Sequence, residues 1–212
     1  MMPQPLPARE ALTIARIVRV NHAGEYGAIR IYSAQIAVSA RLYPDIAPAL
    51  AEMLEHEKKH CALFFGAMSA RRSRPCRIMS LWSWGGSLLG LVTALSGRQM
   101  IWICTAAVEA AVHRHLDDQL HFLQTRDPEL LDVIQSIRAE ELAHLHHAEE
   151  RIVTTNWASR ALYHVVTWAT DAVIWLSTWG DSTRMARELR ASSKSANKPS
   201  REVPAALSGP AE

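Results

Sequence analysis

Residues 55–60 read EHEKKH and residues 138–144 read RAEELAH. Each contains Glu-x-x-His: Glu57 with His60, and Glu141 with His144. Side chains three apart on a helix share a face, so each pair points one way. A lone glutamate lies 32 residues before each pair, Glu25 before Glu57 and Glu109 before Glu141. Two lone glutamates and two Glu-x-x-His pairs, one contribution per helix, make up the ligand set of a carboxylate-bridged two-metal site in a four-helix bundle. A single Glu-x-x-His is weak evidence, but recurrence of the whole interval is much stronger.

The surrounding chain reads as the helices this set needs. Residues 9–41 carry Ile14, Ile17, Val18, Ile29, Ile31, Ile36 and Val38 at helical spacing. Pro44-Asp45-Ile46-Ala47-Pro48 is a turn, and a second helix follows from about 48 to 70. Glu25 and Glu57 both lie roughly 20 Å from that turn at about 1.5 Å per residue, so they can face each other. A third helix is expected from about 98 to 125, with Glu109 central. Asp127-Pro128 is an N-cap followed by proline at the first helical position, which starts a fourth helix running to about 153. Gly24 and Gly27 flank Glu25. Glycine costs about 1 kcal/mol inside a helix, so the pair suggests close approach of a neighbour.

Between the two hairpins Arg71, Arg72, Arg74 and Arg77 precede an uncharged stretch, IMSLWSWGGSLLGLVTALSG at 78–97. Its length could span a bilayer. A single span, however, would put the two halves of the ligand set on opposite sides. An interfacial segment fits better, with the arginines and Trp82 and Trp84 meeting the membrane surface. A buried crossover between helix pairs is the alternative. All seven tryptophans lie from Trp82 onward, and the residue suits membrane boundaries as well as cores. Residues 157–190 read as a further apolar helical region with Trp168, Trp175 and Trp179 on one face. Residues 191–212 are rich in Ser, Pro and Ala without periodicity and are expected to be disordered.

Composition narrows the classes. The net charge of +2 gives no nucleic-acid footprint. Three scattered cysteines, Cys61, Cys76 and Cys104, form no Cys-x-x-Cys and suit a reducing compartment. The first residues show no secretory signal pattern. Gly85-Gly86-Ser87-Leu88-Leu89-Gly90 does not match a dinucleotide fingerprint. Glu25 and Glu109 sit among small or apolar residues, unlike surface carboxylates. Four buried carboxylates repel strongly without counter-charge, and two divalent cations supply it. Carboxylate with imidazole ligation suits iron or manganese better than structural zinc. His22, His113 and His115 lie near Glu25 and Glu109 in sequence and are candidates for backing the ligands or delivering protons.

NHAGEYGAIRIYSAQ (21–35), EHEKKH, AVEAAVHRHLDDQL (107–120) and RAEELAH together resemble the demethoxyubiquinone hydroxylases, di-iron monooxygenases of ubiquinone synthesis. The resemblance covers about 16–152. It implies that Glu25, Glu57, His60, Glu109, Glu141 and His144 bind two irons. It also implies a polyprenyl benzoquinone substrate, of the 2-polyprenyl-3-methyl-6-methoxy-1,4-benzoquinone type, and an external reductant such as NADH. Contact with membrane lipid follows from it too, as do partners in a ubiquinone-synthesis complex. Asn21 stands where the family usually has Asp, and His115-Leu116 departs from its His-His-Tyr.

The expected architecture is all-α: a ferritin-like four-helix bundle over 1–155, with the interfacial segment at 71–97 and additional membrane-facing helices. The expected location is peripheral, on the cytoplasmic face of a bacterial inner membrane, or on the mitochondrial inner membrane in a eukaryote. Iron oxidation with a different or no organic substrate is the competing activity.

Overall fold

The computed structural model describes residues 6–196, and every regular element among them is helical. Helices α1 (Ala8–Leu42) and α2 (Ala47–Ala67) form one hairpin, and α4 (Arg98–Leu123) and α5 (Pro128–Glu149) form the second. Helix α3 (Met79–Leu95) crosses between them along α1. Helices α6 (Trp157–Ser177) and α7 (Asp181–Ala196) pack on α4.

Local signals set the ends. Asp127 caps α5 by accepting a hydrogen bond from the Leu130 backbone N–H at 3.1 Å, with Pro128 opening the helix. The Asn156 side chain and Ser159 form a reciprocal capping box at the start of α6. The helical region over 157–190 is two helices: Trp179 (φ 53°) and Gly180 (φ 78°) adopt the left-handed conformation between α6 and α7. That helix reaches Ala196, so 191–196 are ordered, contrary to expectation; 197–212 lie outside the described residues.

Two apolar clusters fill the bundle. One gathers Ile17, Val18, Phe64, Leu116, Ile134 and Ile137. The other gathers Tyr32, Leu50, Met53, Trp102, Ala106 and Ala148. Along each of the four central helices the candidate ligands fall between these clusters, so the polar layer is sealed above and below. Met185 of α7 belongs to the first cluster, so the region after 156 shares the bundle's core. Asp181, 1 % exposed, ties the start of α7 to Arg9, Thr13 and Arg16 of α1.

Helix α3 buries one face and exposes the other. Its glycine face lies on α1: a Cβ on Gly86 would come 2.5 Å from the Gly27 carbonyl oxygen, and one on Gly90 2.3 Å from that of Ile31. Its other face leaves Leu81, Trp84, Leu88, Leu91 and Leu95 exposed. Gly27 meets the Trp82 ring, where a Cβ would be 3.1 Å away, whereas Gly24 has open space. Among the described residues no helix is long and apolar enough to cross a membrane.

Gly90→Ala is expected to destabilise the protein by about 1–3 kcal/mol, because the added methyl meets rigid backbone. Gly66→Ala, at a helical site with nothing within 4 Å, should instead stabilise by about 0.5–1 kcal/mol. Urea denaturation of the two variants measures the contrast.

Candidate metal centre

Each central helix delivers its part of the ligand set to one buried layer. Glu25, Glu57, His60, Glu109, Glu141 and His144 are all at most 6 % exposed. Glu25, Glu57, His60 and Glu141 bring one ligand atom each to within 4.8 Å of one another, and so do Glu57, Glu109, Glu141 and His144. Glu57 and Glu141 belong to both groups, which is the arrangement of bridging carboxylates between two ions.

Four buried polar atoms in this layer lack a hydrogen-bond partner. His60 Nδ1 lies 2.9 Å from a Glu141 oxygen and His144 Nδ1 3.3 Å from a Glu57 oxygen, without hydrogen-bond geometry. Both Nδ1 atoms and one oxygen each of Glu57 and Glu141 are buried and unpartnered. Buried polar atoms are nearly always satisfied, so four orphans facing one space fit a pair of cations.

Electrostatics points the same way. Burial pushes the Glu25 carboxyl well above the usual range, with Glu57 and Glu141 adding to the shift. Burial also raises Glu57 to about 7 and Glu141 to about 8. Glu109 is raised well above its ordinary value by burial and then by Glu141. Without cations the layer holds protons, because like charges crowd in a poorly hydrated space. Divalent ions would displace those protons and offset the repulsion.

Several neighbours escaped the sequence reading. Tyr32 donates a 2.8 Å hydrogen bond to Glu109. His60 Nε2 lies 3.2 Å from Glu140, and His144 Nε2 lies 3.0 Å from His56 Nδ1, with those two rings stacked at 5.2 Å. The signal was present: His56 and Glu140 immediately precede Glu57 and Glu141, and Tyr32 is two helical turns beyond Glu25.

The histidines proposed as backing groups divide. His22 packs its ring against Phe65 at 5.7 Å, and burial lowers its pKa. His113 sits 3.8 Å from Asp117, with Arg138 and His146 as further charged neighbours. Neither is brought to the ligand layer. His115 is different: its Nε2 lies 2.9 Å from Asp171 of α6, and it lines a cavity beside the ligands. Asn21 forms a reciprocal amide pair with Gln119, at 2.7 and 3.1 Å. An aspartate there could not donate to Gln119.

The membrane candidates divide as well. Arg71 does not face lipid: its guanidinium is 7 % exposed and grips Asp127 at 2.7 and 2.8 Å, because α5 begins beside it. Arg72, Arg74 and Arg77 are exposed. Trp82 turns inward onto Gly27 and the cavity, and Trp84 is 78 % exposed.

The cavity has a volume of about 400 Å³ and reaches Glu25, Glu57, Glu109 and Glu141. Its walls are largely apolar and come from α1, α3, α4 and α6, including Ile31, Leu81, Trp82, Leu89, Val112 and Val173.

Four helices presenting a duplicated carboxylate and imidazole set to one buried layer define a ferritin-like bundle with a site able to hold metal. Residues 12–177 match the family model described as ubiquinone biosynthesis protein COQ7, and the chain belongs to that family. It is 44 % identical over 135 residues to the mouse protein named NADPH-dependent 3-demethoxyubiquinone 3-hydroxylase, mitochondrial, covering 62 % of this chain and 61 % of the mouse protein. The Dictyostelium discoideum protein of the same name is 38 % identical over 168 residues, covering 78 % and 76 %. The Rhodospirillum rubrum protein named 3-demethoxyubiquinol 3-hydroxylase is 40 % identical over 134 residues, covering 63 % of each. The match thus spans less than two thirds of the mouse protein.

Glu57→Ala or Glu141→Ala should each lower bound iron below two per chain, because each carboxylate belongs to both groups. His22→Ala should retain full iron. Metal analysis of protein purified without added iron, with circular dichroism to verify helicity, distinguishes these outcomes.

Proposed function

We propose that the protein is a di-iron, oxygen-dependent monooxygenase that hydroxylates the ring of a demethoxy polyprenyl benzoquinone. The observation that carries this reading is the junction of an orphaned carboxylate–imidazole layer with an apolar cavity large enough for a substituted ring. Two irons held by Glu25, Glu57, His60, Glu109, Glu141 and His144 would supply dioxygen activation, which protein side chains cannot perform alone.

The chain's own residues have separate tasks. The apolar walls admit the ring and exclude water from the reacting layer. Among the polar groups facing the cavity besides the ligands are the Asn21 amide and the His115 imidazole, held by Gln119 and Asp171. These two are suited to hydrogen-bond the ring oxygens, with His115 able to hold or release a proton there. The electrons come from an external reductant. The mammalian relatives' names specify NADPH; NADH delivers the same hydride chemistry.

A ring with an isoprenoid tail partitions into lipid, so the enzyme must meet it at a membrane surface. Peripheral attachment through the outer faces of α3 and α6 suits this. Leu81, Trp84 and Leu88 are exposed on one, Val165, Trp168 and Trp175 on the other, and both helices contribute cavity walls. The membrane would be the bacterial inner membrane at its cytoplasmic face, or the mitochondrial inner membrane. Other ubiquinone-synthesis enzymes are candidate partners at that surface.

Val173→Trp narrows the cavity without touching a candidate ligand. It should lower quinone hydroxylation at least tenfold and leave iron content at the wild-type level. The wild-type chain should restore ubiquinone in a strain that accumulates the demethoxy intermediate. Failure to do so with a loaded metal site would favour ferroxidase chemistry or another substrate.

Replacing Arg72, Arg74 and Arg77 with Gln should weaken binding to anionic vesicles by roughly 100-fold, at about 1 kcal/mol per basic residue. Trp84→Ala should weaken it in a salt-independent way. Vesicle sedimentation at two ionic strengths separates the effects, and unchanged binding in both variants would remove this face from the membrane contact.

A further inference from the structure

The ligand set is symmetric between the two halves of the chain, but its surroundings are not. One position is formed by Glu25 and His60, the other by Glu109 and His144, with Glu57 and Glu141 shared. Behind the imidazoles the contacts cross over. The residue before the α5 ligand Glu141 is Glu140, which holds His60 of α2 at 3.2 Å. The residue before the α2 ligand Glu57 is His56, which holds His144 of α5 at 3.0 Å. These two residues occupy equivalent places, yet one is a carboxylate and the other an imidazole. The terminal carboxylates differ in the same fashion. Tyr32, seven residues after Glu25, bonds Glu109 at 2.8 Å. The equivalent residue seven after Glu109 is Leu116, buried at 1 % exposure and unable to donate a hydrogen bond to Glu25.

We infer that the two metal positions are chemically unequal, with the Glu25–His60 position the stronger cation site, and that Glu140 and His56 are the positioning residues that set the difference. The inference rests on the two-metal reading above. An imidazole that held a metal through Nδ1 would have its N–H at Nε2, pointing away from the layer. A carboxylate acceptor holds that N–H by a charge-assisted bond, roughly twice as strong as a neutral one, and makes the ring a better donor to a metal. His60 has such an acceptor in direct contact, Glu140, whereas His144 reaches that carboxylate only through the His56 ring, whose Nδ1 lies 3.8 Å from it. At the other position the Tyr32 hydroxyl draws electron density from Glu109 as well. Both asymmetries act in one direction: the Glu25–His60 position binds a divalent ion more tightly and better tolerates a higher metal charge.

The test uses metal-free full-length protein titrated with Co²⁺ against a chromophoric chelator. Wild type should show two resolved binding steps. Glu140→Gln removes the charge while keeping the side-chain length, and should weaken the tighter step by about 10–100-fold with little change in the other. His56→Glu makes the backing groups alike and should bring the two steps together. In protein loaded with ⁵⁷Fe²⁺, the same substitution should draw two distinct Mössbauer doublets toward one, a change that a purely structural role would not cause. His56 and Glu140 are both partly exposed, so both variants are expected to fold, and helicity verifies it. Two equal steps in wild type, equal weakening of both steps by Glu140→Gln, or doublets unmoved by His56→Glu would overturn the inequality and leave the two-metal reading standing. Wild-type protein that takes up no cation would overturn both.

Discussion

Four carboxylates buried in one layer of a helical bundle are the constraint on which the rest of this structure depends. Each alone would be costly to ionise away from water, and together they raise one another's pKa values. The fold does not relieve this with lysine or arginine among the layer's close partners. It leaves unpaired oxygens and imidazole nitrogens facing one space, and it closes that space with apolar side chains on both sides along the bundle axis. Metal cations would supply counter-charge to this arrangement. Rigid packing above and below keeps the ligand atoms apart from solvent and close to one another.

The layer also divides the molecule laterally. Toward α3 and α6 lies the apolar cavity, lined by Trp82 and Val173 and bounded outside by exposed leucines and tryptophans. Toward α2 and α5 lie His56 and Glu140, polar and partly open to water. The bundle thus carries an apolar flank and a polar flank on either side of the ligand layer.

Much of this was legible in the chain. The duplicated 32-residue interval locates the six candidate ligands, since helical periodicity fixes which side chains share a face. Asp127-Pro128 announces the start of α5 for the same local reason. What the sequence could not reveal depends on contacts between distant helices. Arg71 reads as one of four basic residues until α5 brings Asp127 beside it. Trp82 reads as a membrane anchor until α3 lies against Gly27. Trp179 reads as a continuation of the α6 face, but the helix stops two residues earlier at a left-handed turn. His56 and Glu140 were overlooked because their partners lie 88 and 80 residues away.

The Asp181 clasp has a consequence for the order in which the molecule forms. Its carboxylate reaches Arg9, Thr13 and Arg16 across more than 160 residues of chain, and Met185 completes a cluster begun by Ile14. During synthesis α1 emerges first and α7 last among the described helices, so the first helix waits with an incomplete apolar face until almost the whole chain is made. Closing so long a loop carries an entropic cost that local helix formation does not. The clasp and the cluster that Met185 completes can therefore form only late in translation, after the helices that carry the candidate ligands have been made.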